Sequence, residues 1–305
     1  MDNKHISVLL NECIENLNLK ENSVIVDCTL GYAGHSSEIL KRINKGFLFA
    51  FDQDSEAILS SVERLNKIGN NYEIIKSNFV NIKEELNKRN IVSVDGILYD
   101  LGVSSPQLDD DYRGFSFHQD ARLDMRMNQD NELDAYKVVN TYSYEELVNI
   151  FYKYGEEKYA SSIAKGIINS RPITTTLELV EVIKNNVPEK YKRDKHPARK
   201  VFQAIRIEVN DELNVFEKSL KDSLDLLNIG GRICVITFHS LEDKICKNVF
   251  NTVSKVDDAI KHLPIIPKEY LPKFRVIKTI NPSKYELEKN SRARSAKLRI
   301  IERIG

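Results

Sequence analysis

Residues 24–54 read VIVDCTLGYAGHSSEILKRINKGFLFAFDQD. Val24, Ile25 and Val26 are three consecutive β-branched residues, the composition of a strand buried on both faces. Asp27 closes that run, and Gly31-Tyr32-Ala33-Gly34 follows as a glycine-bearing turn. A helical pattern opens at His35-Ser36-Ser37-Glu38, with Ile39, Leu40 and Ile43 at helical spacing. Phe47 to Phe51 is a second apolar strand that ends on Asp52 and Asp54. Strand, glycine turn, helix, strand and acid together make a unit that binds a nucleoside-bearing cofactor.

Glycines let a ligand approach the backbone, and the start of a helix offers free N–H groups at its positive end. Asp52 follows Gly31 by about 20 residues, the spacing at which an acid meets a ribose diol. A dinucleotide site would want G-x-G-x-x-G, but Ala33 and Ser36 break that fingerprint. S-adenosylmethionine has a ribose and no phosphate, so it keeps the acid and relaxes the glycine rule. A dinucleotide and a turn with only a structural purpose are the alternatives.

The 305 residues suffice for one large domain or two ordinary ones with a well-buried core. Lys+Arg and Asp+Glu both total 45, so the chain carries no global nucleic-acid signal and any basic surface is local. Cys13, Cys28, Cys234 and Cys246 are far apart, without a C-x-x-C pair or zinc spacing. Reduced thiols in a cytoplasmic protein are the expectation. No apolar run approaches the ~18 residues of a membrane span, and MDNKHISVLL lacks a signal-peptide pattern. A soluble protein with no membrane partner follows.

The remaining chain alternates. Residues 5–19 carry a helical stripe, residues 55–68 an amphipathic helix, 72–76 a third strand, 79–90 a helix and 91–101 a fourth strand. This alternation predicts a parallel sheet with helices on both faces and ligands beyond the carboxyl ends of the strands. Asp27, Gly31, Asp52, Phe79 and Asp100 all fall on that rim. The alternation then stops. Residues 109–131 read as an ordered polar loop, and helical periodicity covers 144–151, 156–170, 176–186 and 198–227. A helical insertion over 105–211 is expected, interrupting a sheet domain of residues 1–104 and 212–305. Gly230-Gly231 stops the long helix, residues 232–238 are the fifth strand, and Ser240 with Asp243 fits a capping box. Residues 274–279 and 297–301 read as two closing strands.

With these residues in hand the chain resembles the RsmH (MraW) family of 16S rRNA methyltransferases over essentially its whole length. The carriers are DCTLGYAGHSSEIL, AFDQDSEAI, DGILYDLGVSSPQLDDDYRGFSF, LDMRM, YGEEKYA, HPARKVFQAIRIEVNDEL, GGRICVITFHSLED and NSRARSAKLRIIER. The resemblance implies a class I S-adenosylmethionine-dependent methyltransferase fold with an inserted all-helical domain for substrate recognition. It implies methyl transfer to the exocyclic N4 of a cytidine in 16S rRNA, within a small-subunit ribosomal particle, and allows a homodimer. Cofactor contacts carry over to Ala33, Gly34, His35, Asp52, Phe79, Asp100 and Gln107. Two positions depart from the pattern: Ala33 replaces a glycine, adding a methyl at a tight spot, and Arg122 replaces a proline, adding a charge that could face RNA.

The exocyclic amine is a poor nucleophile because its lone pair is delocalised into the ring, so it must be aligned and its hydrogens drawn to acceptors. Asp100 is the candidate catalytic residue, at the end of the fourth strand; the alternative makes it a cofactor ligand only and His239 the acceptor. Tyr112, Phe115 and Phe117 are candidates to stack on a splayed-out base. Methylation of a ring carbon would need a cysteine nucleophile, and no cysteine sits on the rim loops. Two basic clusters are candidates for phosphate contact: Lys190, Lys192, Arg193, Lys195, Arg199, Lys200 and Arg206, and then Arg292, Arg294, Lys297 and Arg299. The plain alternatives are Phe79 as core, His35 as a helix-terminal polar group and the charge runs as solvated faces. A methyltransferase acting on a protein or small molecule, and a non-catalytic RNA-binding module, are the rival functions.

Overall fold

The apolar runs do form strands: β1 (Val24–Asp27), β2 (Phe47–Asp52), β3 (Tyr72–Lys76), β4 (Val94–Asp100), β5 (Leu227–Thr237), β6 (Phe274–Ile280) and β7 (Lys297–Arg303). The computed structural model describes residues 7–103, 112–194, 196–256, 259–262 and 265–305. The chain divides into two compact units, Met1–Gly102 with Leu213–Gly305, and Val103–Glu212.

In the first unit the seven strands form one sheet in the order β3-β2-β1-β4-β5-β7-β6. The five strands from β3 to β5 are mutually parallel, and β7 runs antiparallel between β5 and β6. Alternate residues of each strand feed two separate cores, as the period of two demands. On one face Val26, Phe49, Phe51, Ile97, Tyr99 and Val235 pack with Ile82, Leu86, Phe216, Leu220 and Phe250 from helices. On the other, Ile25, Leu48, Ala50, Leu98, Cys234 and Ile236 pack with Cys13, Ile14, Ile39, Leu40 and Leu65. Burial on both faces explains why these strands read as continuous apolar runs. The order, with its reversal between β1 and β4, is that of the Rossmann-like class I S-adenosylmethionine-dependent methyltransferases.

The helices before the insertion are α1 (Leu10–Asn16), α2 (Gly34–Leu40), α3 (Ser55–Asn66) and α4 (Ile82–Lys88). The first is shorter than the stripe over 5–19 because Leu9 and Asn18 are left-handed, with φ of 52° and 55°. Phe79 does not open a long helix either. It starts a 3₁₀ turn, Phe79–Asn81, ahead of α4.

The second unit is helical: α5 (Ala135–Thr141), α6 (Tyr144–Lys153), α7 (Ala160–Ser170), α8 (Thr176–Asn185), α9 (Glu189–Asp194) and α10 (Ala198–Asn210). Among its described residues the only β pairing is the isolated bridge of Arg122 with Thr175. Reciprocal capping boxes start α6, from Ser143 and Glu146, and α8, from Thr175 and Glu178. The polar run before α5 is held by side chains. Buried Asn210 donates to Met125 O (2.8 Å) and accepts from Met127 N (2.8 Å), while Arg126 grips Asp124 and the carbonyls of Gln129 and Asn131.

The long helix expected over 198–227 is two. Asp211, at φ 49°, separates α10 from α11 (Glu212–Leu226). Asn210 is committed to the Met125–Met127 backbone and Glu212 to a bidentate pair with Arg206, so the chain turns between them. Gly230-Gly231 does not stop that helix; it lies inside β5, where pairing with β4 shifts register between Val94 and Gly96. A Cβ on Gly231 would sit 2.8 Å from Asp95 O, so the bulged strand needs glycine there.

Gly46 controls the entry to β2 and hence the height of Asp52. A Cβ there would lie 2.0 Å from Ser23 O, the carbonyl that accepts from Phe47 N (3.1 Å). Gly46→Ala is expected to destabilise the fold by about 1–3 kcal/mol, the cost of overpacking. It would be seen as a lower urea midpoint at unchanged m-value; an unchanged midpoint would show that the junction yields freely.

Candidate active site

The segment after β1 passes between the ends of β2 and β4. Cys28 N donates to Leu98 O (2.9 Å) and Leu30 N to Phe51 O (2.9 Å), so both neighbouring strands clamp it. The buried carboxylate of Asp27 shapes the turn from within. It accepts from Thr29 N (3.0 Å) and Ser36 Oγ (2.7 Å), and Thr29 Oγ1 in turn accepts from Asp100 N (2.7 Å). Burial raises the Asp27 carboxyl above its ordinary range while these bonds oppose the shift. The sequence placed Asp27 on the rim without giving it this task. An acid at a strand end with Thr two residues later and Ser nine later is the available signal.

Ala33 is fully buried and left-handed, with φ 57°. The cost of alanine here is therefore in the backbone, about 1–2 kcal/mol for a residue with a Cβ in that region. Gly34 begins α2, and a Cβ on it would lie 1.8 Å from Ser7 Oγ. His35 is buried behind the turn, with Nε2 3.2 Å from Val8 O and Nδ1 3.5 Å from Asp100 Oδ2. A carbonyl only accepts, so Nε2 carries the hydrogen, and the approach of Nδ1 to the carboxyl requires one further proton between them.

That proton fits the state of Asp100. Burial, then the charges of Asp27 and Glu242, push its carboxyl up to about 8. Its Oδ1 is buried and has no hydrogen-bond partner among the described residues. Asp52 is different. Its two oxygens accept from Gly31 N (2.8 Å) and Asp54 N (2.9 Å), and burial lifts it to about 6 despite those bonds. Asp52 thus fixes the glycine turn and the start of α3.

Phe79 is half-buried, its ring edge-on to Tyr99 at 5.6 Å and 88°. Gln107, with the Ser104–Gln107 loop, lies outside the described residues. His239 is committed to a cap and is not a free acceptor. The helix α12 (Ser240–Ser254) has its capping box on His239 and Glu242, one residue earlier than the expected Ser240 and Asp243. Glu242 Oε2 accepts from Phe238 N (2.7 Å), whereas Asp243 is drawn to Arg299 (2.7 Å) and Lys297 (3.2 Å) of β7. The four cysteines are buried, and burial holds all four thiols above their ordinary range, so none is poised as a nucleophile.

The basic clusters are partly consumed. Lys297 and Arg299 close on Asp243, as above, while Arg292 and Arg294 are exposed. In the helical unit Lys192 pairs with Glu189 (2.6 Å), Arg206 with Glu212 (2.8 Å), and Lys200 donates to Glu156 O (2.6 Å). Lys190, Arg193 and Arg199 are exposed, and Lys195 is outside the described residues. Arg122 pairs with Asp134 (2.7 Å) and Asp124 (3.3 Å), so its charge is matched within its own unit. Among the aromatic candidates Phe115 is buried, Tyr112 is exposed, and half-buried Phe117 stacks on His196 at 4.6 Å and 21°.

A family model described as the MraW methylase family matches residues 2–304. A protein of Finegoldia magna named ribosomal RNA small subunit methyltransferase H is 53% identical over 311 residues, covering 100% of both chains. Its namesake from Exiguobacterium sibiricum is 52% identical over 307 residues, covering 99% of this chain and 98% of the other. The crystal structure of a rRNA methylase from Streptococcus thermophilus aligns with a TM-score of 0.45 at 11% identity, over 97% of this chain and 94% of that one. The chain belongs to the MraW methylase family.

Proposed function

We propose that the protein transfers a methyl group from S-adenosylmethionine to the exocyclic N4 of a cytidine in 16S rRNA. The small-subunit rRNA methyltransferase names of its relatives support the substrate class. The observation that carries the chemistry is Asp100 at the carboxyl end of β4, with one carboxyl oxygen buried and unpartnered among the described residues. When bound, the cofactor supplies an electrophilic methyl on a cationic sulfur. The residues present fit it: a buried carboxyl for its cationic end, an acid for its ribose and an aromatic ring for its adenine.

In this reading Asp52 accepts from the ribose hydroxyls and Phe79 lies against the adenine. The Ala33–His35 backbone takes the methionine end. Asp100 orients the reacting amine and takes up the proton it releases, with His35 holding the carboxyl from behind. As the nitrogen–carbon bond forms and the carbon–sulfur bond breaks, the amine loses one proton, and an oxygen without a partner is the acceptor at hand. The helical unit is the part that recognises RNA, with Lys190, Arg193 and Arg199 toward phosphates.

Nucleoside mass spectrometry of 16S rRNA incubated with the protein and methyl-labelled cofactor tests the product. Label in N4-methylcytidine is expected, whereas label in 5-methylcytidine or in protein would overturn the reading. Asp52→Ala should weaken cofactor binding by about 1.5–3 kcal/mol, the range for a hydrogen bond to a charged group. Calorimetry showing unchanged affinity would remove Asp52 from the site.

Asp100 generates a pH prediction. Its carboxyl, lifted to about 8, is neutral near pH 7 in the free protein, and a cationic ligand favours the ionised form. Binding should therefore release a proton, and affinity should tighten as pH rises toward about 8 and then level off. Asp100→Asn should abolish that dependence and lower turnover about 100-fold or more at saturating cofactor. Calorimetry in buffers of different ionisation enthalpy counts the proton; the same slope in wild type and mutant would assign it elsewhere.

A further inference from the structure

Phe79 is held by more than its own strand end. Its carbonyl accepts from Ile82 N–H within the 3₁₀ turn and from Ser219 Oγ (2.9 Å) on α11. Ser219 Oγ is 2.6 Å from the Tyr99 hydroxyl, which is 2.7 Å from Ser223 Oγ, one turn further along the same helix. Tyr99, Ser219 and Ser223 are all fully buried. On the same helix, Lys218 Nζ donates to Val80 O (3.0 Å), and Asn78 caps the turn by accepting from Val80 N (2.9 Å).

Counting protons gives this chain one direction. The Phe79 carbonyl can only accept, so Ser219 spends its single hydrogen there. Tyr99 must then donate to Ser219, and Ser223 must donate to Tyr99. Aligned donors of this kind polarise one another, and each is needed to satisfy the next. The phenol also acts through its ring, which meets the Phe79 ring edge-on. Backbone and ring of Phe79 are therefore fixed by the same two residues. A core that only needed filling would take phenylalanine at 99 and alanine at 219. Three buried hydroxyls ending on one carbonyl at the strand-end rim have a more specific use.

We propose that Tyr99 and Ser219 are positioning residues for the cofactor's adenine, acting through Phe79, so that a helix following the insertion in sequence sets cofactor affinity. The inference rests on the reading that Phe79 lies against the adenine. It goes beyond that reading by placing the determinant of affinity in side chains remote from the ligand.

Calorimetric binding of S-adenosylmethionine and single-turnover methylation test it on the full-length protein. Ser219→Ala should raise Kd about 3- to 10-fold, the effect of one hydrogen bond. Tyr99→Phe should act in the same direction while preserving the ring, and it serves if Ser219→Ala fails to fold. The methylation rate at saturating cofactor should stay within about twofold for either variant, because neither residue is placed at the reacting atoms. In a Phe79→Leu background, Ser219→Ala should have no additional effect on Kd. A lower thermal midpoint with unchanged Kd would reduce the network to plain core and overturn the proposal, as would full additivity with Phe79→Leu. Unchanged affinity in Phe79→Leu, with Asp52→Ala still weakening binding, would also overturn it while leaving the methyltransferase reading intact. Failure of the wild type to bind the cofactor would remove that reading and this inference together.

Discussion

The buried carboxylate of Asp27 is the interaction on which the candidate site depends. A charge taken out of water needs several donors, and Asp27 finds them in Thr29 and Ser36, on opposite sides of the glycine turn. The turn is thereby closed around one group at the end of the central strand. Thr29 passes the constraint to β4 through Asp100 N, and Asp52 repeats it from β2 through Gly31 N. Three strand ends and the start of α2 are tied together by two carboxylates and two hydroxyls.

Such a construction leaves unfavourable features close together. Ala33 is left-handed where glycine would be unstrained, and Asp100 shares a rim with Asp27 and Glu242, whose charges add to burial in raising its carboxyl. Among the described residues, Asp100 Oδ1 has no hydrogen-bond partner. A protein optimised for stability alone would remove these features, since unsatisfied buried oxygens and left-handed alanines each cost about 1–3 kcal/mol. Their concentration at the carboxyl ends of parallel strands motivates the assignment of the site. A cationic ligand there would relieve the carboxyl, and the strain would be offset by binding.

The helical unit solves a different problem. Its run from Gly114 to Asn131 contains no helix or strand, yet it is anchored throughout. Buried Arg113 donates to Arg126 O, Met125 N returns to Arg113 O, and Arg126 closes on Asp124. Gly114, at φ 71°, lies where a Cβ would come 2.4 Å from Arg122 O. Arginines that would ordinarily mark a nucleic-acid surface are here spent on backbone carbonyls. The cations left exposed, Lys190, Arg193 and Arg199, flank a proline-bearing turn between helices.

The sequence by itself determined the strands, their alternation with helices and the rim on which Asp27, Gly31, Asp52, Phe79 and Asp100 fall. These are local properties: a run of β-branched residues or a period of two acts over a few positions and survives without knowledge of partners. It also carried the family resemblance, because the motifs are contiguous. Tertiary structure alone decided where side chains spent their hydrogen bonds. His239 became a helix cap once Asp243 was drawn to Arg299, 56 positions away. The long helix broke at Asp211 because Asn210 was claimed by Met125 and Met127, more than 80 positions back. Lys297, Arg299 and Arg206 left the basic clusters for carboxylates, Arg122 lost its free charge, and Tyr99 met Ser219 across 120 positions. Each outcome is a competition among donors and acceptors brought together by folding, and no window of sequence contains both competitors.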